Sequence, residues 1–219
     1  MRKIDLIVLH HSGGTPTASK SDITGEQRFK VICDDHRANA LKQGWIMPNQ
    51  VYVCDYHFVV GQTGKIFTGQ PIENPSWHAT NYQVNLASIG ICLLGDFEKT
   101  IPPKAQENAT TRLIVELVNK YGIAIENIKR HKDIVSDITH KANSTDCPGK
   151  YFPFSTMIKK VFNMALKEDN EVKLAWNWAI RLNLMAKPDN MSEEEYKNMP
   201  MTTMRFIVMA YRLSKARGL

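Results

Sequence analysis

The chain reads as an α/β protein with a mixed central β-sheet flanked by helices, and three observations carry that reading. Residues 4–10 (IDLIVLH) and 88–94 (SIGICLL) are nearly unbroken apolar runs rich in branched side chains, as strands covered on both faces require. Segments of helical periodicity with their own start and stop signals alternate with the strands. At 219 residues and 43% hydrophobic content, the chain is also long enough to bury a sizeable core.

Taken in order, the run at 4–10 predicts a central strand. Ser21 and Asp22 offer caps for a helix running to about Lys42, and Gly44 closes it as a C-terminal glycine would. Two strands follow, YHFVV and KIFTG, separated by GQTG, and then the apolar strand at 88–94. Pro102 and Pro103 open a helix whose apolar positions Leu113, Ile114, Leu117, Val118 and Tyr121 keep helical spacing until Gly122 ends it. A further apolar helix starts near Ser155.

Composition shifts at KEDNE (167–171), which places a boundary between a first domain, residues 1–166, and a small helical C-terminal module, residues 167–219. In the module, AWNWAIRLNL, a break at 188–190, a capping box from Ser192 to Glu195 and MRFIVMAYRL predict two or three short helices. Trp176 and Trp178 diverge by about 200° on a helix and cannot form one flat stacking face.

The formal charge of +6 suits an anionic partner, yet no basic tail stands out, and nucleic acid is not expected. Four cysteines at wide, irregular spacing in a chain of this size argue against a disulfide framework; three are expected as buried thiols and one as a ligand. No apolar stretch reaches the roughly 18 residues of a membrane helix, so no membrane insertion is expected. The start MRKIDLIVLHH lacks a signal peptide's apolar core and cleavage site, which predicts a cytoplasmic protein.

The chemistry gathers in His10 (IVLHHS), His131 (IKRHKD) and Cys147 (STDCPG). Two imidazoles and one thiolate can hold a single zinc ion with a fourth position open to water or substrate, which makes hydrolysis the leading reaction class. Neighbouring strand residues point to opposite faces, so His10 and His11 cannot both serve one site without a bend. On chemistry alone, His140 could replace either histidine.

The ordered set IVLHHS, GW at 44–45, DYHFVV at 55–60, GQTGKIFTGQ, SWHATNYQVNLASIGICLLGDF at 76–97, PPKAQ, IKRHKD and TDCPGKYFP at 145–153 resembles a known family. That family is the zinc-dependent N-acetylmuramoyl-L-alanine amidases, which include phage lysozyme-type endolysins and animal peptidoglycan recognition proteins. The resemblance covers roughly residues 1–160. It implies one zinc ion per chain on His10, His131 and Cys147, leaving His11 and His140 outside. It further implies Tyr56 and Thr145 as catalytic residues beside the metal and His78 as a residue lining the substrate groove, with His57 structural. Strand alternation would place Tyr56 on the face of Phe58 and Val60.

The substrate so implied is bacterial peptidoglycan, at the amide between N-acetylmuramic acid and L-alanine, with anionic wall polymers as candidate ligands of the C-terminal module. A phage or prophage endolysin, held in the cytoplasm until lysis, is the role expected. A muropeptide-recycling amidase and a non-catalytic peptidoglycan-binding protein are the rivals. In the family, recycling enzymes tend to carry aspartate where this chain has Cys147, and binding proteins usually lose that cysteine. Two segments, IMPNQVYVC after Gly44–Trp45 and ITHKANS before Cys147, lengthen loops near the site and are expected to shape the groove.

Overall fold

A computed structural model describes residues 2–13, 25–47, 49 and 51–168. The chain divides into two compact units, Met1–Val161 and Phe162–Leu219. Helices expected beyond residue 168, and the caps Ser21 and Asp22, lie outside the described residues. Among those described, no helix is long and apolar enough to cross a membrane.

Five strands form one sheet: β1 (Leu6–His11), β2 (Phe58–Val60), β3 (Ile66–Thr68), β4 (Ser88–Leu93) and β5 (Ile128–Arg130), in the order β3-β2-β4-β1-β5. Only the β2–β3 pair is antiparallel, so the sheet is mixed as expected. The two apolar runs become the neighbours β1 and β4, with His10 level with Cys92 and Leu9 level with Ile91. Every residue of β4 is buried, which is why that run is apolar without alternation.

The helices are α1 (Gly25–Lys42), α2 (Tyr82–Ala87), α3 (Lys104–Tyr121) and α4 (Phe154–Glu168). Gly44 (φ +70°) follows α1, and Gly122 caps α3 in the left-handed region, its N–H donating to Val118 O. Gln106 in α3 reaches the sheet, its Nε2 donating to Val60 O (2.8 Å) and Leu94 O (3.0 Å). Glu107, almost fully buried, meets Lys104 at 2.8 Å and Lys160 of α4 at 2.5 Å. Cys33, Cys54 and Cys92 lie in one apolar cluster with Ile32, Val59, Phe67 and Leu94, the buried thiols the composition suggested.

Two elements escaped the sequence reading. The six-residue α2 is started by Asn81, whose Oδ1 accepts from Val84 N–H at 2.9 Å. The three-residue β5 pairs with β1 at Ile7, Val8 and Leu9 and carries the chain directly into His131.

Candidate metal centre

β1, β4, β5 and β2 run parallel, and the side chains of interest gather at the carboxyl end of β1, the edge where open α/β sheets commonly place their sites. His10, the penultimate residue of β1, is buried. His131 opens a 3-10 turn (His131–Asp133) immediately after β5. That turn is held by Arg130, whose guanidinium donates to both Asp133 carboxylate oxygens at 2.9 and 2.8 Å while lying 5.1 Å from the centre of the Phe154 ring. Cys147 arrives on a loop fastened to the same turn. Lys132 N–H donates to Cys147 O (2.9 Å), and Asn143 N–H donates to Lys132 O (2.7 Å). Gly149 follows at φ +102°, where an added Cβ would lie 2.4 Å from the Phe97 carbonyl carbon, so only glycine closes this turn.

Residues 137 positions apart in sequence are thereby brought together. The donor atoms of His10, His131 and Cys147 all lie within 4.8 Å of one another, and His10 Nδ1 is 3.8 Å from Cys147 Sγ. His11 N–H points at the same sulfur from 3.4 Å. Of the two adjacent histidines, it is the His11 ring that turns away, its Nδ1 accepting from Phe97 N–H at 3.1 Å. His140 is exposed on its loop at φ +54°.

The donor set fits a metal. His131 Nε2 is buried with no hydrogen-bond partner among the described residues, a costly arrangement that an ion at this position would relieve. Burial lowers the His131 imidazole to about 4, assisted by His11, and pushes His10 well below the ordinary range, assisted by His131. Both rings therefore offer neutral nitrogens. Burial raises the Cys147 thiol to about 12, partly countered by His11 N–H, so the thiolate needs the charge of a bound cation.

Tyr56 lies beside the trio, its ring centre 5.1 Å from that of His10. The strand alternation expected for it does not hold. Residues 55–57 are a bend and β2 begins only at Phe58, so Tyr56 packs with Val59 and Cys92, on the face that His10 shares. His36, a residue that no sequence motif marked, also packs against Tyr56, T-shaped at 5.3 Å. His36 Nδ1 accepts from Asp55 N–H (3.2 Å) and lies 3.6 Å from the Asp55 carboxylate. The signal for it was a polar ring within helix α1 facing a strand already suspected.

Thr145 Oγ1 accepts from Cys147 N–H at 3.2 Å, the turn bond expected of a hydroxyl two residues before a loop cysteine. His78 is buried behind His10, with Nδ1 3.0 Å from His10 Nε2 and Nε2 2.9 Å from Ser88 Oγ. It also lines a cavity of about 440 Å³ with Trp45, Trp77, Tyr82 and Ile138. Trp77 and Tyr82 stack at 5.8 Å, and Ile138 comes from the longer loop before Cys147. His57 is structural as expected: its Nδ1 accepts from Gly90 N–H at 3.0 Å, and its Nε2 lies against Arg2 and Asn74 O.

Two imidazoles and a thiol thus converge at the carboxyl edge of the parallel strands of a mixed-sheet α/β domain, in a group that could hold one metal ion. Residues 1–150 match the N-acetylmuramoyl-L-alanine amidase family, and the chain belongs to it. Peptidoglycan-recognition protein LB of Drosophila melanogaster is 29% identical over 144 residues, 65% of this chain and 53% of the relative. The chain thus spans about half the length of that curated relative. Among solved structures, the endolysin N-acetylmuramoyl-L-alanine amidase LysCS from Clostridium intestinale is 28% identical with a TM-score of 0.55, covering 73% of this chain and 84% of that one. Drosophila PGRP-LB is 27% identical with a TM-score of 0.52, covering 68% and 76%.

Proposed function

We propose that the chain is a zinc-dependent amidase that hydrolyses the bond between N-acetylmuramic acid and L-alanine in bacterial peptidoglycan, acting as a phage or prophage endolysin. The observation that carries this reading is the convergence of His10, His131 and Cys147 next to Tyr56. A bound zinc ion supplies Lewis acidity, polarising the scissile carbonyl and lowering the pKa of the attacking water.

The chain's own groups do the rest. Two neutral imidazoles and one thiolate neutralise half of a divalent cation's charge, leaving it electrophilic. Tyr56 presents a phenol that burial keeps protonated, its pKa held well above the ordinary value, so it can donate to the oxygen on which charge develops. Thr145 accepts from Cys147 N–H and so retains its own hydroxyl proton for donation toward the same region. His78 is an unsuitable source of the leaving amine's proton, because both its nitrogens are engaged with His10 and Ser88.

A binding-only role is the second reading, favoured by relatives named as peptidoglycan-recognition proteins. The presence of Cys147 in the donor set weighs against it. Purified peptidoglycan incubated with native, chelator-treated and Cys147→Ser protein decides between them. New L-alanine amino termini should appear only with the native protein, which should also clear suspensions of permeabilised cells. Wall binding without release, from several wall types, would establish the recognition role instead.

A further inference from the structure

We infer that Ser88 and His78 are positioning residues that set the tautomer of His10 and thereby select Nδ1 as its metal-binding nitrogen. This rests on the reading above only in taking His10, His131 and Cys147 as the ligands.

The Val84 carbonyl can only accept a hydrogen bond. Ser88 Oγ lies 2.6 Å from the Val84 carbonyl at the end of α2, and a carbonyl has no hydrogen to give. The single hydroxyl hydrogen of Ser88 is therefore spent on Val84 O. At its 2.9 Å contact with His78 Nε2, Ser88 Oγ has only lone pairs left, so His78 carries its hydrogen on Nε2. The His78 ring is buried, and its two nitrogens meet Ser88 Oγ and His10 Nε2 with no carboxylate bonded to it among the described residues, so nothing there would balance a second proton's charge. His78 is thus neutral and its Nδ1 is bare.

The 3.0 Å contact between His78 Nδ1 and His10 Nε2 then has one possible direction, with His10 Nε2–H donating. A neutral His10 protonated on Nε2 has a bare Nδ1, and Nδ1 is the nitrogen that faces Cys147 Sγ at 3.8 Å. The relay runs from a helix carbonyl through a hydroxyl and an imidazole to a lone pair aimed at the metal position. Space for it is provided by Gly90 on β4, where an added Cβ would stand 2.6 Å from His78 Cγ and Cδ2. Outer partners that orient a metal-binding histidine typically change affinity 10–100-fold when removed.

The decisive experiment needs no mutation. Nitrogen-15 NMR of the histidines in chelator-treated full-length protein should find both His10 and His78 protonated on Nε2, a pattern that a merely space-filling role for His78 would not impose. In Ser88→Ala the His10 tautomer should become mixed, and zinc affinity, read by competition with a chromophoric chelator, should fall by about 10–100-fold. Native protein with His10 protonated on Nδ1 would overturn the inference, as would a folded Ser88→Ala protein of unchanged zinc affinity. Should Ser88→Ala fail to fold, the native tautomers still decide. Because neither readout uses hydrolysis, loss of the amidase reading would leave this result standing, and the reverse holds equally.

Discussion

The Tyr56 ring lies 5.1 Å from that of His10 and 5.3 Å from that of His36. On the proposed function, its phenol is the donor to the developing oxyanion. Replacing it with phenylalanine keeps the ring and deletes the donor. Tyr56→Phe is expected to lower kcat by about 10²–10³, the usual cost of one such donor, while zinc affinity stays at the native value. Native kcat in this variant would remove Tyr56 from the chemistry and leave it as packing.

For the elements, the revealing contact is α3 on the sheet. Gln106 sits on the buried face of that helix, one position before the buried Glu107, and its amide bridges carbonyls on two different strand ends. Gln106→Leu keeps the volume and takes the amide donor from Leu94 O, while Val60 O keeps its bond from Leu94 N–H (2.9 Å). One stranded acceptor costs about 1–3 kcal/mol, and urea unfolding should show a loss of that size. A loss under about 0.5 kcal/mol would show that water replaces the amide. At this scale the long elements were legible. The runs at 4–10 and 88–94 became β1 and β4, and Pro103 and Gly122 bracket α3. Of the short ones, β2 and β3 were marked by the GQTG turn between them, whereas α2 (six residues) and β5 (three) hold too few periods for a pattern to form and lack such a marker. The bend at 55–57, which turns Tyr56 to the His10 face, left no mark in alternation either.

Across the whole molecule, the histidines buried as neutral rings make stability depend on pH. His57 falls to about 4, chiefly through burial with Arg2 adding to it, and His131 also falls to about 4. His10 and His78 are held well below the ordinary range by burial. In the unfolded chain these rings titrate near 6.5, so below that pH the unfolded state binds more protons than the folded one. Stability of metal-free protein is therefore full above about 6.5 and drains as pH falls, the share from His57 and His131 levelling off below about 4. His57 alone accounts for a loss on the order of 3 kcal/mol across that window. Urea unfolding of chelator-treated protein at pH 7.5 and pH 5 should show the drop, and equal midpoints would mean that these rings are protonated in the fold.

The sequence by itself determined the class of fold and the kinds of atom in the site, since apolar runs, caps and loop signals are local and histidine and cysteine carry their chemistry wherever they lie. The quoted motifs also sufficed for the family to which residues 1–150 belong. The resemblance pointed to His10 over His11, but tertiary structure alone decided what the His11 ring bonds instead and which nitrogen of His10 looks toward Cys147. It likewise brought His36 against Tyr56 and Ser88 behind His78. These depend on pairings between residues 10, 20 or 137 positions apart, and on the direction of each hydrogen bond. A linear pattern encodes neither, because both are fixed only when separate elements close on one another.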